Sequence, residues 1–237
     1  MTRLEDNFKF KTFTIRQKDN AIKVNQDGIL LGAWVDLGSD KTILDIGTGT
    51  GVIAIIAAKR NDTAQIDAID IDELACIEAT YNVEQSESSD RINIITKSIQ
   101  TFAQESEKRF DHIICNPPFF SGGGMNSSEG FRQTIKLPHG ELLLAVTRLL
   151  KDGGKFSIIL PFVDSLRFTE LAVGYKLSIV NKCEIKKTED EPIQRVLISF
   201  SFKDDVADQS KKITQLIVNE SNGEHTSDYQ QLLKDFL

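Results

Sequence analysis

The chain has 237 residues, of which 40% are hydrophobic and 27% charged, the composition of an ordinary globular protein of one substantial α/β unit or a core with a small extension. Its 28 Lys and Arg against 35 Asp and Glu give a formal charge of −7, which excludes a uniformly basic nucleic-acid coat but not a local basic patch. No apolar run reaches the ~18 residues of a membrane helix, the charged start lacks the apolar stretch of a secretory signal, and the scattered Cys76, Cys115 and Cys183 are expected as buried thiols of a reducing cytoplasm. His112, His139 and His225 show no zinc-type spacing, and nothing else in the chain demands a metal.

Residues 8–17 alternate with period two, which predicts a strand; Lys18-Asp19-Asn20 predicts a turn and residues 21–24 a return strand. This segment holds Lys9, Lys11, Arg16, Lys18 and Lys23 against Asp19 alone, a local +4 in a chain of −7. Charge by itself reads as a solvated hairpin face. Residues 27–37 predict a short helix carrying Ile29, Leu30, Ala33 and Trp34, broken at Gly38-Ser39-Asp40. Strands then alternate with helices: strand 42–46, helix 52–58, strand 65–71, helix 73–83, strands 92–95 and 110–115, helix 141–150 stopped by Asp152-Gly153-Gly154, strand 156–160, helix 165–173. Residues 177–185 and 196–202 are β-rich and predict an antiparallel pair. Residues 120–138 form the one long irregular stretch, of the kind that serves function. Residues 203–212 read as a polar linker, and the runs 213–218 and 229–237 as a tail docking back on the core.

The strand 42–46 runs into helix 52–58 through Leu44-Asp45-Ile46-Gly47-Thr48-Gly49-Thr50-Gly51. Glycines at alternate positions let the backbone turn tightly and approach a ligand. A dinucleotide fingerprint would need its third glycine where Val52 stands, which lowers the NAD reading. Asp70 ends the next strand nineteen residues beyond Gly51, where a ribose-binding carboxylate belongs. The alternative is a tight turn and a surface Asp, but the register of loop, Asp45 and Asp70 with the predicted strands favours a nucleoside cofactor.

The pattern resembles motif I and its acidic partner in class I S-adenosylmethionine-dependent methyltransferases. The resemblance implies an α/β Rossmann-like fold, a seven-stranded mostly parallel sheet with an antiparallel last strand and helices on both faces, here preceded by a β-hairpin and helix. It implies S-adenosyl-L-methionine as cofactor, bound by Asp45, Gly47, Thr48, Gly49, Gly51, Asp70 and Ile71. Asp45 would order the loop at the methionine end and Asp70 would hold both ribose hydroxyls, with Asp72 starting the next helix. Where relatives carry an Asp for the adenine amino group, this chain has Ser98, a hydroxyl that accepts without charge.

Residues 111–119 end in Asn116-Pro117-Pro118-Phe119. Two prolines fix φ and remove two N–H donors, leaving the Asn116 side chain and the Pro117 carbonyl as rigid acceptors at the sheet edge. Together they could accept both hydrogens of an exocyclic amine, hold its lone pair out of conjugation, and leave Phe119 as a stacking face. The bland alternative is a strand-ending Pro-Pro turn with a core Phe. The motif, with Asn116 also beside the cofactor, looks like motif IV of methyltransferases acting on planar nitrogens.

The resemblance narrows at the ends. Phe13-Thr14-Ile15-Arg16-Gln17, the run from Lys23-Val24-Asn25-Gln26-Asp27-Gly28 to Trp34, Phe131-Arg132-Gln133-Thr134, Pro192-Ile193-Gln194-Arg195 and the tail from His225 to Leu237 are together similar to the bacterial tRNA1(Val) (adenine(37)-N6)-methyltransferase family. That implies methyl transfer to N6 of adenine 37 in a tRNA anticodon loop, a base already partly unstacked. It gives the hairpin a role, with Lys9, Lys11, Arg16 and Lys18 expected on RNA phosphates and Arg132 nearer the base. The expected division is 1–38 (hairpin and helix), 39–203 (methyltransferase domain) and 204–237 (tail). A cytoplasmic monomer is expected, with tRNA as partner and no membrane or metal. Three other readings remain: a release-factor glutamine-amide methyltransferase, usually with a preceding helical domain; an rRNA guanine-N2 methyltransferase; and a non-catalytic nucleotide-binding module.

Overall fold

Strands buried on both faces read as near-continuous apolar runs, and such runs form the centre of the molecule in the computed structural model, which describes residues 6–18, 23–118, 137–202 and 212–237. A two-stranded antiparallel hairpin, β1 (Asn7–Lys9) and β2 (Thr14–Arg16), precedes α1 (Gln26–Trp34). Then follow β3 (Thr42–Ile46), α2 (Val52–Arg60), β4 (Gln65–Asp70), α3 (Glu73–Glu84), β5 (Ile92–Thr96), α4 (Ile99–Glu105) and β6 (Phe110–Cys115). After these come α5 (His139–Leu149), β7 (Leu150–Pro161), α6 (Phe162–Gly174), β8 (Leu177–Lys186), β9 (Ile193–Phe202), β10 (Lys212–Ile217) and α7 (Ser227–Leu233).

The main sheet runs in the order β10-β8-β9-β7-β6-β3-β4-β5. From β5 across to β7 the pairing is parallel, and β9 inserts antiparallel between β7 and β8. This is the expected sheet with its antiparallel last strand, extended by an eighth strand: the tail segment β10 pairs parallel with β8 at the edge. Alternation along each strand feeds two cores. Ile43, Ile114, Ile159 and Leu197 face the layer of α1, α2 and α7, whereas Leu44, Ile113, Ile158 and Ile198 face α4, α5 and α6. Cys76, Cys115 and Cys183 are buried and free. No helix among the described residues is long and apolar enough to cross a membrane.

Three local expectations are corrected. The hairpin lies inside the run read as one strand, because the Phe10 N–H donates to the Phe13 carbonyl (2.9 Å) and the two rings stack at 4.3 Å, closing a turn. Both arms share period two, so alternation could not reveal it; Lys23 and Val24 are not in a strand, and Ala21 and Ile22 of the expected return strand lie outside the described residues. Asp152-Gly153-Gly154 does not stop a helix but forms an irregularity in β7, where pairing to β6 jumps from Phe110–Leu150 to His112–Lys155 and Gly153 takes φ +72°. Helix α4 went unread; its buried Ile99, Phe102 and Ala103 follow helical spacing, but seven residues are too few for a clear period.

Polar ties fasten the strands. Buried His112 on β6 lies 3.0 Å from Asp40 and 2.8 Å from Ser157 Oγ on β7, which in turn meets Ser199 Oγ on β9 at 2.7 Å. Burial lowers the histidine pKa, so a neutral ring donating from Nδ1 to Asp40 and accepting at Nε2 satisfies the chain of bonds. It resembles a hydrolytic triad only in composition, since His112 and Ser157 have no exposed surface.

Asp111, at the start of β6, accepts hydrogen bonds from the Lys41 and Thr42 amides (3.0 and 2.9 Å), Thr42 Oγ1 (2.9 Å) and Lys151 Nζ (2.9 Å). Burial raises its pKa, but Lys151 and the N–H and hydroxyl donors outweigh this and leave it at about 2. A depressed carboxylate pKa stabilises the fold above the unfolded value near 4, and that contribution is lost as pH falls from about 4 to 2. Asp111→Ala is expected to cost about 1–3 kcal/mol at pH 7. Urea unfolding at pH 7 and pH 3 checks this, because the variant's deficit should shrink at the lower pH.

Candidate active site

β3 ends at Ile46, and the chain must reverse to place α2 on the sheet. Gly47, Gly49 and Gly51 do this with φ of +72°, +56° and +82°, a region closed to most side chains. The loop's amides are taken up by the end of β4. Gly47 and Thr48 N–H donate to the Ile69 carbonyl (2.9 and 3.0 Å), and Gly49 N–H donates to Asp70 Oδ2 (2.9 Å). Asp70 Oδ1 accepts from the Asp72 amide at 3.0 Å. Asp72 itself caps α3 through the Leu74 amide.

Beneath the loop, Asp45 is fully buried and accepts from Thr48 Oγ1 at 2.7 Å, while its Oδ1 has no hydrogen bond of ordinary geometry. Burial drives its pKa to about 7; the Thr48 hydroxyl and the Ala54 amide oppose the rise, and the charge of Asp70 adds to it. The Asp70 pKa is also raised by burial, held back by the Asp72 and Gly49 amides.

The sheet order reverses between β3 and β6, and a cavity of about 200 Å³ opens there at the carboxyl ends of the strands. One side is Gly47, Thr48, Gly49, Asp70, Ile71 and Ser98; the other is Asn116, Pro118, Val24, Asn25 and Gly28. These residues fit a nucleoside cofactor. Nothing lies within 4 Å of the place a Cβ on Gly47 would occupy, so a ligand can approach that backbone. Each Asp70 oxygen accepts one amide and keeps acceptor capacity for a diol. Ile71, 58% exposed, offers an apolar face for a planar ring at the mouth.

The other sequence candidates fall in distinct places. Asp45 and Gly51 stand behind the cavity, the latter close against Ala79 of α3, where a Cβ would come within 3.4 Å. Pro117 is buried and does not line the cavity, whereas Asn116 and Pro118 on either side of it do. Ser98 lines the cavity but also caps α4, donating to Thr101 Oγ1 and accepting from the Thr101 amide. Phe119 and Arg132 lie outside the described residues. On the hairpin, Lys9 and Lys18 are exposed. Lys11 Nζ donates to the Lys234 carbonyl at 2.6 Å, and Arg16 pairs with Glu78 at 3.4 Å while lying 4.2 Å over the Tyr81 ring.

Val24, Asn25 and Gly28 escaped the sequence reading of the site. The one available signal was the N-cap pattern: Asn25 Oδ1 accepts from the Gly28 amide at 2.9 Å. A Cβ on Gly28 would stand 3.4 Å from Asn116 Nδ2, so α1 meets the Asn116 side chain directly. Arg195 Nε holds that end of α1 through Asp27 at 2.8 Å.

A buried carboxyl titrating near 7 binds a proton in the folded state that the unfolded chain has released above about pH 4, so this group makes stability fall as pH rises from about 4 to 7. Asp45→Asn keeps an acceptor for Thr48 and removes the titration. Its stability relative to the parent should therefore be greater at pH 8 than at pH 5, measured by urea unfolding; a gain that does not grow with pH would show that Asp45 is ionised at little cost.

Residues 28–162 match the Methyltransferase small domain family. Among solved structures, the fold is similar to a predicted O-methyltransferase from Agrobacterium tumefaciens, with a TM-score of 0.69 at 16% identity over 89% of this chain and 96% of that one. It is also similar to the ribosomal protein L11 methylase of Lactobacillus delbrueckii, with a TM-score of 0.55 at 17% identity over 77% of this chain and 81% of that one. Curated relatives lie much nearer in sequence. The tRNA1(Val) (adenine(37)-N6)-methyltransferases of Dyadobacter fermentans and Trichodesmium erythraeum are 39% and 38% identical, each over 97% of this chain and 96% of theirs. That of Proteus mirabilis is 34% identical over 97% of this chain and 92% of its own. With its glycine loop, acidic β4 terminus and Asn-Pro-Pro edge set around one cavity, the chain belongs to the tRNA1(Val) (adenine(37)-N6)-methyltransferase family.

Proposed function

We propose that the protein transfers a methyl group from S-adenosylmethionine to N6 of adenine 37 in the anticodon loop of tRNA1(Val). The observation that carries this is the shared cavity: Asp70 and the glycine loop on one side, Asn116 and Pro118 on the other. The acceptor is the one in the relatives' name. We read residues 1–38 as a substrate-facing extension, 39–203 as the catalytic domain and 204–237 as the tail, in a monomer acting in the cytoplasm.

The cofactor supplies an electrophilic methyl on a sulfonium, so positioning and electrostatics carry the rate and no strong base is required. Asp70 would accept from the ribose hydroxyls of the cofactor. Ile71 would offer its apolar face to the adenine, and Ser98, its proton committed to Thr101, would have a lone pair for that ring's edge. Asp45 would act through Thr48 and the loop. On the substrate side, Asn116 Oδ1 and the Pro117 carbonyl accept the two amino hydrogens of the target base and turn its lone pair out of the ring's conjugation. The prolines fix both acceptors in advance. The motif assigns Phe119 the stacking face. The exposed Lys9 and Lys18 contact phosphates, with Lys11, Arg16 and Arg132 as further RNA-side candidates.

Labelled-methyl transfer from S-adenosylmethionine to bulk tRNA, bulk rRNA and release factor in parallel, with nucleoside analysis, tests the acceptor; label in tRNA as N6-methyladenine is expected. Asn116→Ala should lower kcat by ~10²-fold or more while cofactor affinity stays within a few-fold; near-normal turnover would remove Asn116 from its role. Joint Lys9→Glu and Lys18→Glu substitution should weaken tRNA binding and reduce the slope of log affinity against log salt by about two.

A further inference from the structure

Asn82 lies on α3 with 2% of its surface exposed, away from the cavity wall. A carboxamide has two hydrogens to donate and an oxygen to accept with, and here both hydrogens and the oxygen are used. Oδ1 accepts from the Arg16 amide at 2.8 Å, and Nδ2 donates to the Arg16 carbonyl at 2.9 Å. The side chain thus pairs with β2 as a neighbouring strand would. The same Nδ2 donates to the Thr50 carbonyl, inside the glycine loop, at 2.8 Å. One helical turn earlier on α3, buried Glu78 receives the Lys18 amide at 2.8 Å and Arg16 Nε at 3.4 Å. The arm of the hairpin bearing Lys18 is therefore seated on two polar side chains of α3, and one of them also holds the cofactor loop.

We infer that Asn82 is a positioning residue that couples RNA binding on the hairpin to cofactor binding at the glycine loop. The inference rests on the proposed function. A shift of β2 on contact with RNA either moves Thr50 through the Asn82 amide or leaves buried donors and acceptors unpaired, so the hairpin and the loop favour one joint arrangement. By linkage, each ligand then raises affinity for the other by the same factor.

The test uses the full chain and S-adenosylhomocysteine, which binds without turnover. Its Kd is measured by calorimetry alone and at saturating tRNA1(Val) transcript. For the parent protein a decrease of about five-fold or more is expected on adding tRNA. Asn82→Ala should still bind each ligand alone, with the ratio falling to nearly one. A merely structural loss would weaken both affinities and leave the ratio in place. Asn82→Asp keeps the shape and the acceptor for the Arg16 amide but removes the donations to both the Arg16 and the Thr50 carbonyls, so it too cuts the link between hairpin and loop and carries the test if the Ala variant does not fold. A parent ratio of one with both ligands bound, or a parent-like ratio in either folded variant, overturns the inference. Failure of the parent to bind S-adenosylhomocysteine or tRNA instead overturns the proposed function itself.

Discussion

The carboxyl end of β4 makes the site possible. One carbonyl, of Ile69, and one carboxylate, of Asp70, receive three successive amides of the loop between β3 and α2. A loop with three left-handed glycines has much backbone freedom to lose on ordering, and these bonds, with Asp45 beneath, hold it in one shape. The shape depends in turn on the parallel register that sets Ile46 beside Ile69. The same Asp70 that orders the loop faces the cavity, so under the proposed function the carboxylate that would meet the cofactor is already held by two amides. Preorganisation of this kind avoids rearranging the wall when a ligand arrives.

The opposite wall is built from distant parts of the chain. The start of α1 brings Asn25 and Gly28 to the cavity, beside Asn116. Contacts from β9 and the tail keep it there. Arg195 on β9 grips Asp27 and Tyr229 on α7 accepts from Gln26 at 3.0 Å, while the tail also takes the Lys11 amide of the hairpin on the Phe236 carbonyl at 2.9 Å. Under the proposed function, the extension and the tail therefore shape the pocket for the target base as well as the surface around it.

Charge is distributed to the same effect. The front segment is basic within an acidic chain, yet part of that charge already has partners within the chain. Arg16 is matched by buried Glu78 and stacked on Tyr81, and Lys11 is tied to the backbone of the tail. Lys9, Lys11 and Lys18 are exposed, and Lys23 lines the cavity. Under the proposed function, so few free cations among the described residues of that segment suit contact with a single loop better than a long grip on a duplex.

The fold class, the glycine loop, Asp70 and the Asn-Pro-Pro edge were legible in the sequence because each is a local signal: period, turn chemistry, or a tetrapeptide with restricted φ. The turn at Phe10 and Phe13 was hidden by identical alternation on both arms, and α4 was too short to show its period. The place of the tail as the edge strand β10, the grip of Arg195 on Asp27 and the triple bond pattern of Asn82 were beyond reach, since nothing near these residues in the chain marks their partners. By itself the sequence determined which chemistry the chain carries and on which strand ends it sits. Only the tertiary structure decided what holds those ends together, because buried hydrogen bonds join residues by their meeting in space, which packing of the two cores sets and spacing along the chain does not.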